Sequence, residues 1–296
     1  MDVVRPDFLP DPALSRAEME ALQREIAAEA VFADDFAFDP ATVWTAEADA
    51  GEGSEQTRLG AVGGRGDEPD GNAGSTAAAG PAPAGPPLVA GVDQAFVDDY
   101  AVSAVVLSRG GEVVERAYAV EETEIPYIPG LLSFREGSAI VSALAALSRE
   151  PDLALVDGSG RIHFREAGLA THVGLLVDLP TVGVAKSLLC GTPRESLDRK
   201  LPAGARVAIA ADDDFETAEP GTLVGYAVQT RQYDSADRHI NPLIVSPGHR
   251  VSADTAADLV EACGGGYKLP EPTRLADKYA DDVKAEVRER IEDGEF

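Results

Sequence analysis

The spacing of hydrophobic and polar residues predicts an α/β protein that begins with consecutive strands and continues with alternating helices and strands. Segments rich in Val and Ala at 88–97, 101–108 and 112–120 are separated by short polar turns, a pattern typical of antiparallel strands. Nearly continuous apolar segments at 152–156 and 181–185 predict strands that are buried on both faces.

The remaining periodicity predicts helices around these strands. Ser15 and Glu18 have capping-box spacing before a helical repeat over about 15–31, and Ser133 and Glu136 have the same spacing before another. Further helices are predicted at 169–178 and about 253–263, and further strands at 223–229 and 243–245. This order favours a mixed sheet, three antiparallel strands and then parallel strands, with helices on both faces.

Composition divides the chain into three parts. Residues 1–47 hold the first helix and an acidic extension, and residues 88–296 hold all the other predicted elements. Between them, residues 48–87 are dominated by Gly, Ala, Ser, Pro and Asp, with almost no bulky apolar side chains. Such a segment buries too little apolar surface to offset its ordering entropy, so we predict a disordered insert within one domain.

The formal net charge of −27 argues against a nucleic-acid partner under ordinary conditions, because phosphate binding is driven by basic patches. Lysine is also scarce, with only five in the chain, and arginine is favoured over it. Both features are typical of proteins from cells with molar internal salt. At about 1 M salt the Debye length falls to roughly 3 Å, which screens repulsion between an acidic protein and nucleic acid. A halophilic source therefore reconciles the charge with such a substrate.

The sequence carries no signal for a membrane or for export. No apolar run approaches the roughly 18 residues of a membrane span, and the N-terminus lacks a basic segment followed by an apolar one. The two cysteines, Cys190 and Cys263, have no metal-type spacing and are interpreted as buried thiols in a reducing compartment. We expect a cytoplasmic protein without membrane association, and a monomer by default.

Two aspartates occupy positions where a carboxylate is either costly or useful. Asp93 lies inside a strand predicted to be central, where a lone buried carboxylate requires a partner. Asp157 ends another apolar strand and enters a glycine turn, a common position for a functional group in α/β sheets. Each has an ordinary alternative. Asp93 could bond to an arginine or to backbone amides, and Asp157 could be a plain turn residue.

Glu136 is a third candidate acid. It stands three residues after Ser133, where a capping-box Glu belongs, and for Glu136 alone this structural interpretation is the stronger one. Asp93, Glu136 and Asp157 are more persuasive together. Magnesium prefers oxygen ligands, and a nuclease site needs two or three carboxylates around open positions for phosphate and water.

Two further polar residues could assist such a site. Lys186 follows the predicted strand 181–185, where it is either a lysine that reaches solvent from a strand end or a group that stabilises phosphate charge. His249 is one of only four histidines and follows Pro247-Gly248, which predicts a turn before a helix. It is either a turn residue with its bonds satisfied or a proton-transfer group near the leaving oxygen.

The segment Pro126-Tyr127-Ile128-Pro129-Gly130 is a stiff loop with an aromatic residue between two prolines. The ordinary interpretation is an aromatic residue packed on the sheet. The functional interpretation is a wedge that takes the place of an extruded base. Such a wedge lowers the unstacking cost, which is about a few kcal/mol. Gly158 and Gly160 would then let the base approach the backbone closely.

Seven segments, in order between about 88 and 279, resemble motifs of the endonuclease V family. Any one of them is weak, but the ordered set is specific. They are Val89-Ala90-Gly91-Val92-Asp93, Tyr127-Ile128-Pro129-Gly130-Leu131-Leu132-Ser133-Phe134-Arg135-Glu136-Gly137, residues 151–160, Gly168-Leu169-Ala170-Thr171-His172-Val173-Gly174, Gly183-Val184-Ala185-Lys186-Ser187, Val245-Ser246-Pro247-Gly248-His249-Arg250 and Leu269-Pro270-Glu271-Pro272-Thr273-Arg274-Leu275-Ala276-Asp277.

The resemblance implies a ribonuclease H-like nuclease domain from a halophilic archaeon and a DNA repair activity. It implies recognition of deoxyinosine, the deamination product of adenine, and hydrolysis of the second phosphodiester on its 3′ side, leaving 5′-phosphate and 3′-hydroxyl ends. In this assignment Asp93, Glu136 and Asp157 bind Mg²⁺, for which Mn²⁺ can substitute, while Lys186 and His249 assist catalysis.

The same resemblance implies how the lesion is held. Tyr127 would be the strand wedge, and a pocket for hypoxanthine would be built from backbone and small side chains. The implied substrate-binding residues are Tyr127, Pro129, Gly130, Leu132, Gly158 and Gly160.

Alternatives remain open at this point. The same chemistry could act on inosine in RNA, since nothing in the sequence reveals a contact to a 2′-hydroxyl. A lesion-binding module without turnover is a third interpretation, although a pure binder has no need of three converging carboxylates. Two departures bear on the resemblance: Ser159 stands where the family more often has His or Asn, and Gln94-Ala95-Phe96 replaces the small residue and tyrosine that often follow the first aspartate.

Overall fold

The computed structural model describes residues 1–44, 85–235 and 237–293. Nearly all of the predicted insert at 48–87 therefore lies outside the described residues. The described strands form a single nine-stranded sheet in the order β3-β2-β1-β4-β5-β9-β8-β7-β6. The strands are Leu88–Val97 (β1), Tyr100–Arg109 (β2), Glu112–Glu122 (β3), Leu153–Asp157 (β4), Thr181–Ala185 (β5), Thr192–Pro193 (β6), Arg206–Ala210 (β7), Leu223–Val228 (β8) and Leu243–His249 (β9).

The predicted mixed sheet is confirmed, including its opening antiparallel meander. Strand β1 pairs antiparallel with β2, and β2 pairs antiparallel with β3. Strands β1, β4 and β5 are parallel neighbours at the centre, and β9, β8, β7 and β6 extend the sheet with antiparallel pairs. The carboxyl ends of β1, β4 and β5 therefore meet at one edge of the sheet, which is where ligands bind in open α/β sheets.

Five helices cover the two faces of the sheet in the described part of the chain. They are Arg16–Glu29 (α1), Leu132–Ala145 (α2), Leu169–Val177 (α3), Ala253–Ala262 (α4) and Glu271–Glu292 (α5). Alternating residues of β1 point to opposite faces. Ala90 and Val92 pack with residues from α1, α2 and α3, whereas Val89 packs with residues from α4. Helix α5 lies against β1 and β2, where Val283 and Val287 contact Val97 and Val102. No helix among the described residues is long and apolar enough to cross a membrane.

Three local expectations differ from the structure. Helix α5 and strands β6 and β7 were not predicted. Ser133 does not cap α2, because the helix begins at Leu132 and its N-cap, Leu131, makes no side-chain cap bond. The segment Pro247-Gly248-His249 is not a turn but the end of β9, where a bulge shifts the pairing with β5. The predicted capping box at Ser15 and Glu18 is confirmed.

Candidate active site

Three aspartates converge at the carboxyl edge of the central strands. One carboxylate oxygen each from Asp93, Asp157 and Asp277 lies within 4.8 Å of the others. The parallel register that pairs Val92 with Val156 sets Asp93 beside Asp157, because each is the next residue of its strand. Asp93 is buried, with 8% of its surface exposed, and among the described residues its carboxylate forms no ion pair within 4.0 Å. Such a cluster is arranged to share a positive ion.

Asp277 comes from α5, and its position depends on how closely that helix approaches β1. Gly91 faces the first turn of α5, and a Cβ at Gly91 would lie 1.9 Å from the carbonyl oxygen of Pro272. Only glycine fits there. Residues two apart on a strand share a face, so Gly91 and Asp93 both point toward α5. The bare backbone at Gly91 thereby allows α5 to bring Asp277 to Asp93.

The sequence analysis assigns no role to Asp277, although Asp277 ends the last of the seven motifs. The signal that could have found it is a helical repeat of small apolar residues. Ala276, Ala280, Val283 and Val287 recur three and four residues apart and are all buried. That repeat predicts a helix packed on the sheet, and Asp277 lies in its second turn.

Burial and like charges make the acidic site electrostatically unfavourable without a cation. Burial raises the pKa of Asp93 above its ordinary value, and the charge of Asp157, a hydrogen bond to Asp157 and the charge of Asp277 raise it further. Burial also raises the pKa of Glu136 to about 7, with a further contribution from Asp157 and an opposing one from Arg135. Carboxylates that resist ionisation together are a common mark of a catalytic or metal site.

Glu136 lies beside the three aspartates rather than inside their cluster. It is buried on the second turn of α2, close enough to Asp157 for the two charges to interact. The prediction that Glu136 belongs to a capping box is wrong, because α2 begins without one. Glu136 as a metal ligand stays a prediction.

Lys186 is brought to the acids as predicted. It follows β5, which is the parallel neighbour of β4, and its Nζ donates a hydrogen bond of 2.7 Å to Asp157 Oδ2. The same Nζ is 3.8 Å from Asp277 Oδ1. Burial lowers the pKa of Lys186, but the hydrogen bond to Asp157 and the three aspartate charges outweigh it and raise the pKa. Lys186 therefore keeps its positive charge at the edge of the site.

His249 is not brought to the carboxylates. It pairs with Thr181 at the start of β5. Lys186 follows the other end of this strand, which is about 13 Å long at the usual rise per strand residue. Its buried ring accepts a hydrogen bond of 3.2 Å from the Val31 backbone N–H at Nδ1, and Nε2 lies 3.4 Å from Asp178 Oδ1. Burial lowers the pKa of His249 against the opposing effect of the Asp178 carboxylate, and the hydrogen bond that Nδ1 accepts from Val31 also favours the neutral ring.

The loop between β3 and α2 presents Tyr127 to solvent. The Tyr127 side chain is 65% exposed, so the alternative of an aromatic residue packed on the sheet is wrong. Pro129 is also exposed, and Leu132 is half-buried as the first residue of α2. Because α2 carries Glu136 one turn later, this loop ends close to the acidic cluster.

The two glycine segments predicted to form a pocket are held together by buried polar side chains. The carbonyl oxygen of Gly130, at a φ of 82°, accepts hydrogen bonds from Gln23 Nε2 at 2.9 Å and from His163 Nε2 at 3.0 Å. His163 belongs to the loop after β4 that contains Gly158. Gln23 Oε1 in turn accepts a 2.7 Å hydrogen bond from Arg165 Nε. Helix α1 thus fixes one loop against the other.

Gly160 requires its glycine for a close approach. A Cβ there would lie 2.2 Å from the carbonyl oxygen of Pro247 on β9. Gly158 lies at the start of the same loop, beside Leu169 of α3. Sequence reasoning missed Gln23 and His163. A glutamine on the apolar face of α1 and a histidine six residues after Asp157 were the available signals.

Comparison with known proteins identifies the same family along most of the chain. Residues 76–278 match the family model described as Endonuclease V. The Endonuclease V of Haloarcula marismortui, a halophilic archaeon, is 60% identical over 284 residues, which cover 96% of this chain and 98% of the relative.

Solved structures agree in fold. The Endonuclease V of Streptomyces avermitilis superposes with a TM-score of 0.66 at 29% identity, covering 93% of this chain and 95% of its own. The Endonuclease V of Ciona intestinalis was solved in complex with a 23mer DNA containing an inosine followed by a ribo-adenosine. It superposes with a TM-score of 0.63 at 21% identity, covering 93% of this chain and all of its own.

Proposed function

This chain belongs to the endonuclease V family, and we propose that it is a DNA repair endonuclease that nicks strands containing deoxyinosine. The observation that carries the proposal is the convergence of Asp93, Asp157 and Asp277, with Lys186 bonded to Asp157, at the edge of the sheet. The exposed Tyr127 loop leads directly into the helix that carries Glu136. The inosine-containing DNA bound by the Ciona relative supports the choice of substrate.

A magnesium ion fits the acidic cluster. Magnesium is a hard cation that prefers carboxylate oxygens, and three carboxylates present one oxygen each within 4.8 Å. A bound divalent cation would supply Lewis-acid chemistry, activating water and offsetting charge on the leaving oxygen. We assign Asp93 and Asp157 as ligands of the ion. Glu136 and Asp277 add negative charge beside them, and we expect Mn²⁺ to substitute for Mg²⁺.

The protein's own groups divide the remaining work. Lys186 is held at Asp157 with its charge retained, so its ammonium can stabilise negative charge that develops on the phosphate. Glu136, buried beside Asp157, is suited to accept a proton from the attacking water. We place the cut at the second phosphodiester on the 3′ side, leaving 5′-phosphate and 3′-hydroxyl ends.

We assign recognition of the base to the two joined loops. Tyr127 stands exposed on a loop stiffened by Pro126 and Pro129, so its ring can fill the space left by an extruded base. Gly130, Leu132, Gly158 and Gly160 would line the pocket, where backbone groups can approach hypoxanthine closely. We assign His249 to positioning the segment that contains Val31 rather than to catalysis.

The deciding experiment is cleavage of end-labelled DNA and RNA oligonucleotides that are matched and carry one inosine each, in molar KCl with Mg²⁺. We expect a single nick in the DNA, one nucleotide beyond the lesion, and no nick in a control strand with adenine. Cutting only the RNA would keep the site but move the protein to RNA metabolism. Equal cutting of inosine and adenine strands would contradict the proposal.

A further inference from the structure

A cleft of about 460 Å³ opens beside Lys186. It lies where the segment after β5 meets the loop that precedes β9. Its lining comes from the segment after β5 with Lys186 and Ser187, the loop between β6 and β7 with Arg199 and Lys200, and the loop before β9 with His239 and Asn241. Because Lys186 belongs both to this cleft and to the acidic site, the two are continuous.

The charged side chains of the cleft are mainly positive, whereas the whole chain is strongly negative. Its lining contains Lys186, Arg199 and Lys200 against one acid, Asp198, although the whole chain carries a net charge of −27. Arg199 pairs with Glu195 four residues earlier, but both side chains are more than half exposed, so the pair is weak and the guanidinium is available.

Hydrogen bonds and a cation–ring contact hold the wall of the cleft in place. The Lys200 ammonium donates hydrogen bonds to the backbone carbonyls of Tyr233 and Ser235, and the Thr230 hydroxyl donates to the carbonyl of Lys268. The guanidinium of Arg238 stacks 4.1 Å from the centre of the Tyr233 ring. The loop before β9 is therefore tied to the Lys200 segment and to the segment after α4, and its carbonyls fix the position of the Lys200 charge.

We propose that this cleft binds a backbone phosphate of the substrate strand next to the scissile one, with Arg199 and Lys200 as its principal contacts. The proposal rests on the nucleic-acid substrate of the proposed function. A phosphate in the cleft would offset the repulsion between these cations. It would also give an acidic protein a local route to the counterion release that drives nucleic-acid binding.

The test is the salt dependence of binding by the full chain. A fluorescein-labelled DNA duplex with one inosine, and the same duplex with adenine, are titrated in EDTA over a KCl series in which circular dichroism shows a folded protein. Each lost phosphate contact reduces the slope of log K against log salt by about 1. We expect a reduction of about 2 for the Arg199→Gln, Lys200→Gln double variant, with equal losses of affinity on both duplexes. Arg288→Gln on α5, about 16 Å along the helix from Asp277, is the matched control.

The outcomes separate this inference from the function itself. An unchanged slope in the double variant, or a change no larger than that of Arg288→Gln, would contradict phosphate binding in the cleft. Loss of binding only to the inosine duplex would also overturn it, because a phosphate contact cannot read the base. A wild-type chain without preference for inosine would instead refute the proposed lesion specificity and leave the slope comparison intact.

Discussion

The two ends of the central strands both bury ionisable residues, but they treat charge in opposite ways. At the carboxyl end, burial and the neighbouring charges of Asp157 and Asp277 raise the pKa of Asp93. At the amino end, His249 is bonded between Val31 and Asp178, and its ring is favoured in the neutral form. The first end is unfavourable until a cation binds, and the second is complete without one.

Residues at the amino end also bind the chain segment that follows α1. Arg250 Nε donates to the Asp35 carbonyl at 2.8 Å, and the Ser252 N–H donates to Asp34 Oδ1 at 2.7 Å. Satisfied bonds of this kind indicate stability, whereas uncompensated like charges indicate chemistry. Changes at the first end should therefore alter activity and changes at the second should alter stability.

The largest expected effect is on cleavage by Asp93→Asn. Removing this carboxylate should lower kcat at least on the order of a thousandfold, the scale for losing a group that stabilises transition-state charge. Binding of inosine DNA should remain measurable by anisotropy, and the metal-free protein should not be destabilised. Asp178→Asn is the matched control at the opposite end and should retain cleavage. Unchanged turnover in Asp93→Asn would remove Asp93 from the site.

A substitution that touches no catalytic group comes next. Gly91→Ala places a methyl group against Pro272, so α5 must shift and carry Asp277 away from Asp93. We expect a loss of about a hundredfold in kcat, typical of a misplacement near 1 Å, with about 1–3 kcal/mol of destabilisation from overpacking. Gly204→Ala, with open space around its Cβ but a φ of 82°, is the control for loss of stability without a displaced helix, and it should retain kcat. Full activity in a stable Gly91→Ala protein would show that the position of Asp277 is unimportant.

The pH dependence of stability should reveal the same contrast. Glu136 has a pKa raised from 4.5 to about 7 in the folded chain, so the folded state binds its proton more tightly than the unfolded state. The metal-free protein should then lose stability as pH rises from about 4.5 through 7. Mg²⁺ should raise Tm more at pH 8 than at pH 5.5, as checked by thermal melts. Glu136→Gln should flatten the metal-free trend, and an equally steep trend in that variant would exclude Glu136 as its cause.

At the amino end, His249→Phe should affect folding more than catalysis. The substitution leaves the Val31 N–H without its acceptor, at a cost of about 1–3 kcal/mol in the free energy of unfolding. Below the melting temperature kcat should fall less than about tenfold, since no direct contact to the acidic site is lost. A stable variant with cleavage abolished would restore the catalytic role predicted from the sequence.

The smallest effect on stability is expected for Tyr127→Ala. The side chain is exposed, so the free energy of unfolding should change by less than about 0.5 kcal/mol. Preference for inosine over adenine strands should fall about tenfold, because part of the cost of extruding the base is no longer offset. Tyr267→Ala, at another exposed aromatic residue, is the control. Equal discrimination in both variants would refute the wedge.

Much of the fold could be predicted because its signals are local. The period-two pattern and the turn residues predicted β1, β2 and β3, and the apolar runs predicted β4 and β5 within one or two residues. Helix α5 was missed because its buried face consists mainly of Ala and Val in a strongly charged segment that opens with Pro272. Its packing on β1, rather than its own propensity, decides that it lies there.

The sequence by itself determined which chemical groups were available, since Asp93, Asp157 and Lys186 stand at strand ends that must meet when β1, β4 and β5 pair in parallel. Only the tertiary structure decided the rest. It removed Glu136 from a helix cap, added Asp277 through the close approach of α5 to Gly91, and sent His249 to the far end of β5. Strand order and helix approach depend on contacts between residues far apart in the chain, and such contacts leave no trace in local spacing.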